Sequence, residues 1–448
     1  MTPTHHPAQP LYRRPVEPTS VEQPFEGDLF GRKSLADRMT TFLGRLPDGA
    51  VIAVDAPWGE GKTWFGRHWH AQLVADGYRT AYIDCFQRDH VEDPFLMIAG
   101  ELLEMAKAGK PASRRALMQA GKKLGAALLP AAAKFALNAA GHWAVGNARL
   151  GADVAKAANS IEESAAASLE KFVSKRLEDY ESDKKSVSGF RQALADMAAE
   201  GDKPVVVFVD ELDRCRPDFA VRTVERVKHF FEVPRVVFVL LMNRRQLVAA
   251  IEGVYGPRVE ADAYLGKFVQ LSLTLPKQVS MELHSEDDNR KHCESTLARY
   301  GFPSSGHTTE FTAMFGVLAC RFGLSLRDIE RGVILFSIAQ PMTALAMEFA
   351  WPIALKLKHP ELFRRLLADE AAAHAEAYKL ASALAAQVSG GADRVLTLLA
   401  ELHNSGATGF KNPLPQEQVN MMQAMNQIRG PKQLLRALFQ RVDLSVAT

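Results

Sequence analysis

Three runs of uninterrupted apolar residues stand out along the chain: Val51–Val54, Val205–Val209 and Val236–Met242. Each is bounded by turn or charged residues, the pattern of a strand buried on both faces in a parallel sheet. Tyr82–Phe86, after a turn at Gly77, predicts a further short strand, and Leu265–Leu275 alternates loosely and predicts a last one, closed by Pro276. Between them the spacing turns helical. Leu35, Met39, Phe42 and Leu46 mark a helix leading into the first strand, and a helix starting near Lys62 carries Trp64, Phe65 and Trp69. Val221, Val224, Val227, Phe230 and Phe231 mark another helix. Strand, loop, helix and strand in that order imply right-handed crossovers.

Between about 104 and 200 the strand pattern stops. The segment is rich in Ala, Lys and Glu, and Val154, Ile161, Leu169, Phe172 and Leu177 trace a helical stripe through it. From about 279 the pattern is mostly helical, with loops at Ser389–Gly391 and Asn404–Pro415. The first 25 residues, with prolines at 3, 7, 10, 15, 18 and 24, read as a disordered tail without the apolar stretch of a signal peptide. The expected division is a tail over 1–25, an α/β parallel-sheet core over 26–278 with a helical insertion at about 104–200, and a C-terminal α-helical domain over 279–448.

A chain of 448 residues, 47% hydrophobic and 24% charged, fits two or three globular domains. Its net charge of +2 gives no global electrostatic case for nucleic acid or membrane. Cys85, Cys215, Cys293 and Cys320 are widely spaced, so they suit buried thiols in a reducing cytosol better than a disulfide framework or a zinc site.

The chemistry gathers at two strand ends. Ala56-Pro57-Trp58-Gly59-Glu60-Gly61-Lys62-Thr63, with Trp64 after it, follows the first strand. Glycines let successive backbone N–H groups wrap a phosphate, a lysine meets its charge, and a hydroxyl can ligate magnesium at a helix N-terminus. Ala56 stands where the strict pattern has glycine, which is tolerable at negative φ. The second acidic end is Asp210-Glu211. Asp210 is the candidate for Mg2+, shared with Thr63, and Glu211 the candidate general base. Asn243, after the third apolar run, could orient water or sense the γ-phosphate, or merely close a turn. Asn243-Arg-Arg-Gln246 lacks a guanine-reading Asn-Lys-x-Asp motif, so ATP is favoured over GTP.

With these residues in place, the chain resembles the KAP family of P-loop NTPases, a branch of the STAND and AAA+ group. The resemblance runs from about Phe25 to Ala339. It rests on Trp58–Thr63, on Asp210-Glu-Leu-Asp-Arg-Cys215 followed by Pro217, on the helix Val224–Phe231, on Tyr255-Gly256 and on Tyr264–Lys267. The family usually has two aspartates at 210–211 and an acid near 243, so this chain departs at Glu211 and Asn243. The resemblance implies a C-terminal helical lid with an arginine on the γ-phosphate, and Leu324–Arg331 is similar to that segment, making Arg327 the choice. Asp213-Arg214 reads as an ion pair where the next helix begins, with a contact between protomers of a ring as the alternative.

Family members often place transmembrane helices where this chain has its insertion. Residues 124–147 are mildly apolar but are interrupted by Pro130, Lys134, Asn138 and His142, so they are read as non-spanning. Arg114, Arg115, Lys122, Lys123 and Arg149 leave a peripheral membrane contact through 112–150 open. The expected protein is a cytoplasmic ATP- and Mg2+-dependent hydrolase acting as a conformational switch, read by a protein partner or a second copy. The alternative is a nucleotide-gated scaffold with little turnover, on a partner or at the inner membrane surface. Nucleic acid binding is not supported. A bacterial role in phage restriction or stress signalling is what the resemblance implies.

Overall fold

The computed structural model describes residues 21–91, 93–128, 185–230, 233–277, 285–302, 304–339, 345–409 and 430–443. Its centre is a parallel sheet of β1 (Ala50–Asp55), β2 (Thr80–Asp84), β3 (Val205–Asp210), β4 (Val236–Met242) and β5 (Leu271–Thr274), in the order β2-β3-β4-β1-β5. The apolar runs bury both faces because successive side chains point to opposite sides. Val205, Val207 and Val209 enter one core and Val206 and Phe208 the other, as Val51 and Ala53 divide from Ile52 and Val54.

One face is covered by α1 (Arg32–Leu43) and α2 (Lys62–Ala75). The other is covered by α3 (Pro94–Met105), α4 (Pro111–Leu128), α5 (185–199), α6 (Pro217–Val227), α7 (Arg244–Tyr255) and α8 (Ala261–Gly266). Two expectations change here. The last strand is only Leu271–Thr274, because Leu265 is buried from within α8. Loose alternation extended the reading into a helix that lies beside an edge strand. The expected stripe at Val154–Leu177, and most of 124–147, lie outside the described residues. No helix among the described residues is long and apolar enough to cross a membrane.

The remaining helices form a third core: α9 (Ser285–Arg299), α10 (Gly306–Phe322), α11 (Leu326–Ala339), α12 (Ala346–Lys358), α13 (Pro360–Leu367), α14 (Ala371–Ala385), α15 (Ala392–Ala407) and α16 (Pro431–Asp443). The loop expected from Asn404 begins later, since α15 runs to Ala407. Cys85, Cys215 and Cys293 are buried, whereas Cys320 is partly exposed.

This helical core contains a directed chain of polar groups. Trp351 Nε1 can only donate, and it bonds His403 Nε2 at 3.1 Å. His403 must then carry its proton on Nδ1, which lies 3.0 Å from His374 Nδ1. His374 is left to donate from Nε2 to Asp369 Oδ1 at 3.1 Å, and Lys432 holds the other carboxylate oxygen at 2.8 Å. Both tautomers are fixed by one indole N–H. Burial, and the neighbouring His374 secondarily, hold His403 down at about 3.

The folded pKa lies below the unfolded value, so the neutral ring contributes stability above about pH 6.5 and loses it as pH falls towards 3. Thermal unfolding of the full chain should shift to lower temperature from pH 7 to 5, a loss of about 2 kcal/mol out of a full effect of up to about 5 kcal/mol reached only towards pH 3. His403→Gln should lower stability at pH 7 and flatten this dependence in melts followed by circular dichroism.

Candidate functional site

β1 ends at the centre of the sheet, and the chain turns through Ala56–Gly61 into α2. Gly59 and Gly61 take φ of +83° and +79°, which only glycine adopts without strain. Ala56 is not among the residues with positive φ, as its side chain requires. Lys62 folds back to donate from Nζ to the carbonyls of Ala56 at 2.8 Å and Pro57 at 3.3 Å.

β4 separates β1 from β3, so the two ends are not those of neighbouring strands. They meet nonetheless, because α2 carries Thr63 across the gap. Thr63 Oγ1 donates to Glu211 Oε1 at 3.1 Å and also bonds Asp210. Tyr82 on β2 donates to Asp210 Oδ2 at 2.7 Å, and the Glu211 amide to Asp210 Oδ1 at 2.8 Å. Asp210 is 1% exposed, and burial pushes its pKa up against the pull of these donors. Glu211 is raised too, by burial first and then by Asp210. Glu211 has φ of 58°, a left-handed conformation that costs a non-glycine residue about 1 kcal/mol or more. Its Oε2 pairs with Arg214 Nε at 2.5 Å.

Asp213 and Arg214 therefore do not pair with each other. Arg214 turns to Glu211, while Asp213 accepts from the Trp58 indole and lies 3.8 Å from Lys62. Asp213 Oδ1 is buried without a partner. Asn243 caps α7, its Oδ1 accepting from the Gln246 amide at 3.4 Å. Among the described residues no hydrogen bond joins it to Lys62, Thr63, Asp210 or Glu211.

The helical core closes over the loop. The Arg327 amide, in the first turn of α11, donates to the Gly59 carbonyl at 3.1 Å. A Cβ on Gly59 would come within 2.6 Å of Ser325 Oγ. Arg32, at the start of α1, is 2% exposed and donates to the carbonyls of Glu60 at 2.8 Å and Pro276 at 3.0 Å. Burial lowers its pKa to about 10, opposed by Glu60 and Asp28. Arg32 and Tyr82 were not among the expected site residues, and Asp213 was expected to pair with Arg214 and instead meets Trp58 and Lys62. A cation at the first position of a helix, where the dipole disfavours it, is the one local signal for Arg32. A cleft of about 490 Å3 opens beside the loop, lined by Gly59, Gly61, Thr63, Trp64, Phe30 and Arg327 among others, a size suited to a small ligand.

Replacing Asp210 by Asn should raise the melting temperature of the nucleotide-free protein, because it removes a buried charge whose ionised form is disfavoured. The same variant should lose any stabilisation by Mg2+ with nucleotide, measured in the same melts.

Residues 32–343 match the KAP family P-loop domain. A region of 132 residues, 30% of this chain, is 25% identical to the phage T7 exclusion protein of Escherichia coli (strain K12), and the match spans only 18% of that protein. Among solved structures, the ORC2 protein of Aeropyrum pernix, in ADPNP and ADP complexes, superposes with a TM-score of 0.38 at 11% identity, over 98% of each chain. A DNA replication initiation factor gives a TM-score of 0.33 at 11% identity, over 93% of this chain and 95% of that one. Likeness at that level says nothing about function. The family match covers well over half of the sequence, and the chain belongs to the KAP family of P-loop proteins.

Proposed function

We propose that this protein is an ATP- and Mg2+-dependent hydrolase that works as a conformational switch. The reading rests on one observation above others: the Thr63 hydroxyl and the Asp210 and Glu211 carboxylates share a hydrogen-bonded cluster beside the glycine loop. A hydroxyl and carboxylates are hard oxygen donors of the kind Mg2+ takes. Among the described residues no group of three or more His, Cys, Asp or Glu could hold a metal ion alone, which fits an ion sharing its ligands with substrate phosphates. Bound there, Mg2+ would neutralise charge on the β- and γ-phosphates.

In this reading Gly59–Gly61 offer backbone N–H groups to the phosphates, and Ala56, Pro57, Trp58, Glu60 and Trp64 complete the wall. Lys62 releases the Ala56 and Pro57 carbonyls to meet the phosphate charge, passing from one set of oxygens to another. Thr63 and Asp210 hold the metal. Glu211, once freed from the Thr63 hydroxyl, takes a proton from the attacking water. Arg327 reaches over the loop from the lid, and Asn243, which caps α7 through Oδ1, has its amide nitrogen left to orient water. The core over 26–278 and the lid over 279–448 would change their relative angle as nucleotide is cleaved, and a protein partner or second copy would read the change.

The ion pair of Glu211 with Arg214 favours a second reading, a nucleotide-gated scaffold with little turnover, since the base is engaged. Phosphate release separates the two. Under the hydrolase reading Glu211→Gln should slow turnover by about 100-fold or more with ATP still bound, and Lys62→Ala should abolish binding. Wild-type protein that binds ATP and releases no phosphate would favour the scaffold, and turnover surviving both changes would reject the assigned roles. The name of the Escherichia coli relative suggests phage exclusion as the pathway. Expression of wild type should then lower the plaquing efficiency of a T7-like phage, and Lys62→Ala should restore it.

A further inference from the structure

In the same cleft α9 presents His292, whose side chain is 12% exposed and lines the cavity with Gly59 and Gly61. Leu326 supplies the ring with a backbone hydrogen bond, and Nε2 is the ring nitrogen left buried without any partner. A backbone carbonyl binds an N–H, so Nδ1 carries the proton and Nε2 presents a bare lone pair. Burial holds the pKa down at about 4, and the ring is neutral at physiological pH.

That lone pair faces another acceptor across a short gap. Glu330 Oε1, on α11, lies 3.9 Å from His292 Nε2, and it also accepts from Arg299 at 2.9 Å. Two acceptors at that spacing cannot bond each other. They are matched by a group with two hydrogens on one atom: an amino nitrogen about 2.9 Å from both would bond each with its N–H within about 30° of straight. Phe30 stands beside the imidazole, ring centroids 5.9 Å apart, and offers an apolar face to a flat ligand.

Resting on the ATP reading of the phosphate loop, we propose that His292 and Glu330 receive the 6-amino group of adenine and make this cleft selective for adenine nucleotides. A 6-oxo purine would turn an acceptor towards two acceptors and leave all three unpaired, the arrangement by which polar sites reject a near-isostere. Selection then comes from the helical lid, and only the closed arrangement, with α9 and α11 against the phosphate loop, can read the base.

The test is competition binding of ATP and inosine triphosphate to the full chain with Mg2+. Wild type should prefer ATP by roughly 10- to 100-fold. His292→Leu should bring the ratio close to unity mainly by weakening ATP, and His292→Gln, which keeps an acceptor, should retain most of the preference. Glu330→Ala, at a partly exposed position, should also narrow the ratio and serves if His292→Leu fails to fold. A preference unchanged in a folded His292→Leu or in Glu330→Ala, or its absence in wild type, overturns the assignment. Lys62→Ala should abolish binding of both nucleotides alike, so the phosphate-loop reading survives if the base preference fails. If wild type binds neither nucleotide, both readings fall.

Discussion

The position of β4 between β1 and β3 is the constraint around which the core is arranged. Two strand spacings, about 10 Å, separate the end of the strand that feeds the glycine loop from the end that carries the acids. Backbone alone cannot bridge that gap. α2 begins at the loop and carries Thr63 across the end of β4, while the chain beyond β3 turns sharply at Glu211 in a left-handed conformation. Tyr82 reaches from the far side to steady Asp210. Two strands and a helix thus contribute to one hydrogen-bonded cluster, and the strained residue is the one where the side chain must change direction.

A second arrangement fixes the loop from outside. Arg32 takes the Glu60 and Pro276 carbonyls, and Lys277 bridges Glu60 at 3.1 Å and the Leu324 carbonyl at 2.6 Å. Two cations from either end of the core therefore hold the carbonyls of Glu60, Pro276 and Leu324 and the Glu60 carboxylate around the loop. Their charge also leaves the surroundings of the loop favourable to an anion, which suits the phosphate-binding role proposed for it.

The sheet was legible because its strands are apolar on both faces, and only buried strands keep so monotonous a pattern. β5, at an edge, alternates weakly and was drawn too long. The glycine loop and the 210–211 acids could be found because each packs its chemistry into a few consecutive residues. Arg32, Tyr82 and His292 could not, since each comes to the site through tertiary packing from a distant element. Strand order was equally hidden: an apolar run says that a strand is buried, and nothing in it names its neighbours. Asp213 and Arg214 show the same limit at short range, adjacent in sequence yet turned to different partners by the tight turn they occupy.

One join between loop and lid is made of main chain alone: the Arg327 amide on the Gly59 carbonyl. A helix leaves its first amides without partners of its own, and here one of them is lent to the loop. Coupling through such a bond is insensitive to side-chain identity. Genetic drift could alter what the helical domain recognises at its outer surfaces while the mechanical link stayed intact, and only backbone chemistry, such as an ester in place of the amide at 327, would sever it cleanly.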